Sequence, residues 1–283
     1  MKPLLLSKAQ AEIILQASRA KRTIVDVSLD LGKTLSQVEL DANAFSTDNS
    51  AQIPFDELKP ICDAPQKCFI YQDEQFQQIR TFSEEDNKVY SLMPTKGAPT
   101  LLVSGISMHR IKNVDPNGDA RLKVKAVAPV KGNILDTATG LGYTAIQAAK
   151  TAEHVTTIEI SPSSLEMARL NPWSDDLFEN PNIHQIVGDS YEVVQTFTEA
   201  QFSRVVHDPP SFSVAGELYS DEFYEHLYRI LQPRGRLYHY IGDLDSKAGR
   251  NTAIATGAIR RLKSVGFKRV DRRKNAFGLV AFK

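Results

Sequence analysis

Apolar residues recur with two different rhythms along the chain, and the change between them divides it. From Ser7 to about Arg22 the spacing is helical, with Ile13, Ile14 and Ala17 on one side and Ser7 placed to cap the first turn. Ile24, Val25, Val27, Leu29 and Leu31 then fall among Asp26, Ser28 and Asp30 with a period near two. Leu35 to Leu40 follows Gly32 and Lys33, which predicts strand, turn and strand. Residues 68–71, 77–82, 89–93 and 100–103 are further short β-like runs, separated by turn-forming Asp, Glu, Asn and Gly. This first stretch predicts a small α+β unit of mostly antiparallel strands.

A boundary is expected at Val114–Asp119, giving an N-terminal domain over 1–113 and a C-terminal one over 114–283. Beyond a short helix over 120–127, apolar runs and helical repeats alternate. The runs are 133–136, 155–159, 183–189, 202–208 and 235–242. Between them lie predicted helices over 144–149, 161–170, 191–198, 221–231 and 252–265. In the fourth of these, Phe223, Leu227, Ile230 and Leu231 point inward. Two closing strands, 268–274 and 277–282, follow. Such alternation predicts a parallel sheet covered on both faces, and the closing pair places one antiparallel strand near its edge.

The most informative stretch is Asn133-Ile134-Leu135-Asp136-Thr137-Ala138-Thr139-Gly140-Leu141-Gly142-Tyr143. A buried strand runs into a glycine turn and then a helix start, where a ligand can approach backbone that carries no Cβ. An acid, Glu159, closes the next strand about 20 residues later, where a nucleotide ribose needs one. Taken alone, the two glycines serve equally as an ordinary helix cap.

Composition narrows the classes. The 283 residues carry a formal net charge of zero, so no global field draws the chain to nucleic acid or to a membrane. No window approaches the roughly 18 apolar residues of a membrane span, and the start holds only a three-Leu run. The expectation is a cytoplasmic protein with no membrane partner. Cys62 and Cys68 share a short segment without nearby histidines, which predicts reduced, inert thiols and no metal site.

Four pieces resemble one family in order and spacing. Asp136-x-x-x-Gly140-x-Gly142 is similar to the first motif of the Rossmann-like S-adenosylmethionine-dependent methyltransferases, with Ala138 where that family usually has a glycine. Glu159 resembles their ribose-binding acid, and Gly188-Asp189 their adenine-contacting acid. Asp208-Pro209-Pro210-Ser211-Phe212 resembles their fourth motif. The resemblance covers about Ala120 to the C-terminus. Met108-His109-Arg110, Thr139 to Ala145, Leu170 to Ser174 and His207 to Ser220 further resemble a group of predicted microbial methyltransferases close to the polyamine aminopropyltransferases.

The resemblance implies an α/β, Rossmann-like, seven-stranded and mostly parallel sheet behind the small α+β domain, and S-adenosylmethionine as cofactor. The implied cofactor set is Asp136, Thr139, Gly140, Gly142, Tyr143, Glu159, Ile160, Asp189, Ser190 and Asp208. Asp208, Pro209 and Phe212 are the implied catalytic residues. His109, Arg110, Ser211, Glu217 and Tyr219 are candidate substrate contacts, with Glu217 and Tyr219 where a lid would be. Tyr143 either lines the methionine pocket or packs the helix start, and Phe212 either stacks on a planar substrate or walls the pocket. His207 is read as a packed or hydrogen-bonded strand residue, with a base as the alternative, and Trp173 as a loop anchor.

An amino nitrogen suits the fourth motif, since the Asp208 carboxylate and the Pro209 carbonyl both accept hydrogen bonds and two prolines stiffen the loop. The expected partner is a small-molecule amine. The rival enzyme is an aminopropyltransferase of the spermidine-synthase type, using decarboxylated S-adenosylmethionine. It needs acids to hold a polyamine; Asp208, Glu217 and Asp221 are available, without a dedicated acidic cluster. RNA-base or protein methylation is a third reading, and a non-catalytic binding module a fourth. Residues 1–104 hold 11 Lys and Arg against 14 Asp and Glu, a net of −3 that does not favour RNA. The basic run Arg269, Arg272, Arg273, Lys274, with Arg260, Arg261 and Lys263, is either a solvated face or a phosphate or RNA site. Oligomeric state, a homodimer included, is left open.

Overall fold

The computed structural model describes residues 3–47, 52–244 and 250–283. The chain divides into two compact units, 1–116 with 166–175, and 117–165 with 176–283.

The first unit holds three small sheets whose strands pair antiparallel throughout. Its long helix, Lys8–Arg19, opens with a capping box in which the Ser7 N–H donates to Gln10 Oε1 at 2.9 Å. The buried stripe is Ala11, Ile14 and Ala17, while Ile13 is 43% exposed. Neighbouring helical residues diverge by about 100°, so the core takes Ile14 and leaves Ile13 outside. Residues 166–175 are held here by long side chains: Trp173 Nε1 donates to the Leu31 carbonyl at 3.2 Å, and Lys33 Nζ lies 2.7 Å from Asp175 Oδ2.

In the second unit, elements are numbered from its own start. The helices are α1 (Pro116–Ala126), α2 (Tyr143–Ala149), α3 (Pro162–Arg169, whose residues from Glu166 on are counted with the first unit), α4 (Asp175–Glu179), α5 (Ser190–Thr196), α6 (Asp221–Ile230) and α7 (Arg250–Ser264). The strands are β1 (Asn133–Asp136), β2 (His154–Glu159), β3 (Ile183–Val187), β4 (Phe202–His207), β5 (Leu231–Tyr240), β6 (Arg269–Arg273) and β7 (Gly278–Phe282). The seven strands lie in the order β3-β2-β1-β4-β5-β7-β6. The first five run parallel, and β7 pairs antiparallel with both β5 and β6. The sheet is therefore the Rossmann-like, seven-stranded one that the resemblance implied. Its one reversed strand stands next to the edge.

Strand residues alternate between faces. Leu135, Val205, Leu237 and Leu279 pack into one cluster with Val194 of α5, Phe223 and Leu227 of α6, and Ala258 and Leu262 of α7. Ile134, Val206, Tyr238 and Val280, one step along, are also buried, so both faces are covered. α6 forms because its apolar stripe meets this cluster, its Ser220 cap accepts from the Phe223 N–H, and acids fill its first turn. Each large apolar side chain buried here contributes roughly 1.5–3 kcal/mol. The strand order reverses between β1 and β4, and in open α/β sheets ligands bind beyond the carboxyl ends at that point.

Candidate active site

β1 ends at Asp136, which is fully buried. Its Oδ2 accepts from Thr144 Oγ1 and Thr157 Oγ1, both at 2.9 Å. Burial pushes this carboxyl up to about 7, against the pull of those two hydrogen bonds. Backbone bonds then pin the loop to its neighbours: the Thr137 N–H donates to the Val206 carbonyl of β4, and the Thr139 N–H to the Ile158 carbonyl of β2. Thr139 turns its side chain inward, its Oγ1 lying 2.7 Å from Thr157 Oγ1. Gly142 adopts φ +78°, and a Cβ on it would stand 2.7 Å from Leu177 Cδ2. Gly140, at φ +52°, has no atom within 4 Å of where its Cβ would be, so open space adjoins the backbone there. Tyr143 is buried at the first position of α2.

Glu159 closes β2 and is held against this turn. Its Oε2 accepts the Gly140 N–H at 2.7 Å and its Oε1 the Ser161 N–H at 3.0 Å. Burial raises its pKa while those backbone donors lower it, with a net upward shift. The Ser164 side chain and the Ile160 N–H also donate to this carboxylate, so it stands at the centre of a shell of donors at the end of β2. Ile160, next in the chain, is 64% exposed, and Val187, opposite Glu159 in the β2–β3 register, is 59% exposed. Asp189 caps α5, accepting the Tyr191 N–H at 2.8 Å, and Ser190 Oγ donates to the Thr137 carbonyl.

β4 ends at His207, whose Nε2 lies 2.9 Å from the Leu218 carbonyl and whose Nδ1 lies 2.7 Å from Thr137 Oγ1. A carbonyl only accepts, so Nε2 carries the proton and Nδ1 accepts from the threonine. Burial drives the imidazole pKa down to about 3, which leaves the ring neutral, a strut between the glycine loop and the 216–219 turn.

Asp208 follows, and its Oδ2 accepts from Lys123 Nζ at 2.6 Å. Lys123 stands on α1 one turn after Asp119, whose Oδ2 lies 3.0 Å from the same ammonium; the Lys123 and Asp119 side chains are 4% and 1% exposed. Burial works against the ammonium, yet the charges of Asp208 and Asp119 outweigh it and raise the Lys123 pKa. Burial likewise raises the Asp208 carboxyl, with Lys123 pulling it back and Asp119 pushing it further up. Pro209 is buried behind Asp208, while Pro210 and Ser211 face solvent. Ser211 Oγ lies 3.1 Å from Ser213 Oγ. Phe212, 46% exposed, meets Tyr219 edge-on with ring centroids 5.4 Å apart. The Tyr219 hydroxyl donates to the Pro210 carbonyl at 3.0 Å, so a buried tyrosine holds the motif from below, while Glu217 is exposed on the same turn.

The sequence-selected residues of the second unit thus gather at the carboxyl ends of β1, β2 and β4, with Gly140 bonded to Glu159 and Thr137 joining Ser190 to His207. Asp189 turns to its own helix. His109 and Arg110 belong to the first unit, where His109 Nδ1 lies 3.0 Å from Thr100 Oγ1. Sequence reasoning missed Asp119 and Lys123. Their signal is an acid and a base four apart on the helix face that also carries Ala120, Val124 and Val127, where charge is costly unless paired.

Residues 134–235 match the family model described as a methyltransferase domain. An uncharacterized protein of Methanocaldococcus jannaschii is 41% identical over 262 residues, which span 91% of this chain and 88% of that protein. The chain belongs to that protein's family and carries a Rossmann-like methyltransferase domain. This domain class takes S-adenosylmethionine as cofactor. A polyamine aminopropyltransferase of Sulfolobus acidocaldarius is 32% identical over 111 residues, 37% of each chain. Spermidine synthase from Thermotoga maritima is similar in fold, with a TM-score of 0.55 over 73% of this chain and 74% of that one at 17% identity. Among the described residues, no helix is long and apolar enough to cross a membrane, and no group of three His, Cys, Asp or Glu is placed to hold a metal ion.

Proposed function

We propose that this domain transfers a methyl group from S-adenosylmethionine to an amino nitrogen held by Asp208. The observation that carries the reading is the placement of Asp208 on stiff backbone at the carboxyl end of β4, beside the open Gly140 turn and the Glu159 carboxylate. The cofactor supplies a methyl group already activated on a sulfonium. The protein's part is to hold and orient, and to take up a proton.

In this reading the Glu159 carboxylate accepts the ribose hydroxyls, which take the place of donors it now holds, such as the Ser164 side chain. Gly140 leaves room for the nucleoside, and exposed Ile160 and Val187 offer apolar contact to a planar base. The raised carboxyl pKa at Asp208 suits a base that takes a proton from the bound ammonium to free the attacking lone pair, or from the methylated ammonium after transfer. Lys123 keeps that carboxylate ionised and turns Oδ2 inward, so Oδ1 and the Pro209 carbonyl remain for the amine. Phe212 forms an exposed aromatic wall beside them. Asp119 and Asp208 share the one Lys123 ammonium, so the cluster carries a single net negative charge, which suits a singly charged amine better than a polyamine.

The test is incubation with candidate amines and either S-adenosylmethionine or its decarboxylated form, read by mass. Methyl-bearing product from the first supports the proposal. Aminopropyl-bearing product from the second would establish the rival reading.

A further inference from the structure

A cleft of about 570 Å³ opens between α1 and the turn that joins β6 to β7. Its described lining carries four cationic residues, Lys125 from α1, Arg272 and Arg273 from the end of β6 and Lys274 from the turn, and no acid. Arg273 has a partner in Asp271, 3.3 Å away. Lys125 and Arg272 form no ion pair among the described residues, and Arg272 and Lys274 stand in solvent. Asp271 offsets Arg273, and the positive charge left at the concavity raises the local concentration of anions. The chain as a whole is neutral, so this is a local concentration of charge rather than a general basicity. Asn275 adds an amide to the same wall. Arginine forks favour oxyanions that accept two hydrogen bonds at once, as phosphates do.

We propose that this cleft is a binding site for a small molecule bearing a di- or oligophosphate group, a role independent of the methyl-transfer reading. The charges line one bounded concavity rather than a continuous stripe, which favours a small anion over a polymer, and a polyamine would meet like charge.

The test titrates pyrophosphate into the full-length protein by calorimetry near physiological salt, with S-adenosylhomocysteine in parallel. Arg272→Glu/Lys274→Glu is expected to weaken pyrophosphate binding at least tenfold and to leave S-adenosylhomocysteine binding unchanged. Lys125→Gln, an exposed helix position, gives a milder second variant with an expected loss of roughly threefold. Absence of pyrophosphate binding to the wild type, or binding unchanged in both variants, overturns the proposal. So does an oligonucleotide that binds more tightly than pyrophosphate, with affinity rising with its length, or spermidine binding that the charge reversals alter. Because the two ligands are read separately, failure here leaves the methyltransferase reading standing, and the converse also holds.

Discussion

Lys123 Nζ lies 2.6 Å from Asp208 Oδ2, joining a buried lysine on α1 to the acid that closes β4. Removing the ammonium leaves Asp208 and Asp119 with uncompensated buried charge, so Lys123→Met is expected to lower stability by about 3–5 kcal/mol. It also raises the Asp208 pKa further. The acid limb of kcat/KM therefore moves to higher pH, because the base must be deprotonated to act. Asp119→Asn removes a charge that pushes Asp208 up, so its limb moves to lower pH. Opposite displacements in pH–rate profiles of the two variants check the assignment.

Asp208→Ala is expected to lower turnover by roughly 10²-fold or more while S-adenosylhomocysteine affinity changes little. Steady-state kinetics with an identified acceptor, beside calorimetry, separate a loss of chemistry from a loss of cofactor.

Asp136 carries a carboxyl raised to about 7. Between the ordinary carboxylate range and that value the folded protein binds a proton that the unfolded chain does not. Its contribution to stability is therefore full at low pH and is lost as pH rises through about 7. Asp136→Asn is expected to remove this component, on the order of 2–4 kcal/mol, from the pH dependence. Denaturant midpoints at several pH values, wild type against variant, measure it.

The two glycines of the turn differ in what a methyl group would do. Gly142→Ala meets Leu177 and a positive φ, with an expected cost of about 1–3 kcal/mol. Gly140→Ala meets open space and bears only the backbone cost of about 1 kcal/mol. The account expects the Gly140 variant to lose more cofactor affinity than stability, and the Gly142 variant to lose stability first. Thermal melts and calorimetry give both quantities.

Much of this was legible in the sequence because period and order survive folding. The alternation after Ala120 specified a parallel sheet, and the spacing of Phe223, Leu227, Ile230 and Leu231 marked α6 and its inward face. Asp136, Gly140, Glu159 and Asp208 were visible as a spaced set. What stayed hidden depends on distance in space rather than along the chain. Nothing near Asp208 in sequence announces Lys123, which comes from a helix before β1. Thr144 and Thr157 around Asp136 could not be told from ordinary helix and strand residues. Ile13 was misplaced because it lies just outside the stripe of Ala11, Ile14 and Ala17 that faces the core, a boundary set by the neighbouring elements. The attachment of residues 166–175 to the first unit rests on Trp173 reaching the Leu31 carbonyl, a long-range bond that no local pattern encodes.

The most direct test of the central claim, that a sulfonium nucleotide seats on the Gly140 turn with its ribose on Glu159, is calorimetric titration of S-adenosylhomocysteine into the wild type and Glu159→Ala. Saturable binding by the wild type and at least a tenfold loss in the variant, about 1.4 kcal/mol, are expected. No binding to the wild type, or equal affinity for both proteins, would contradict it.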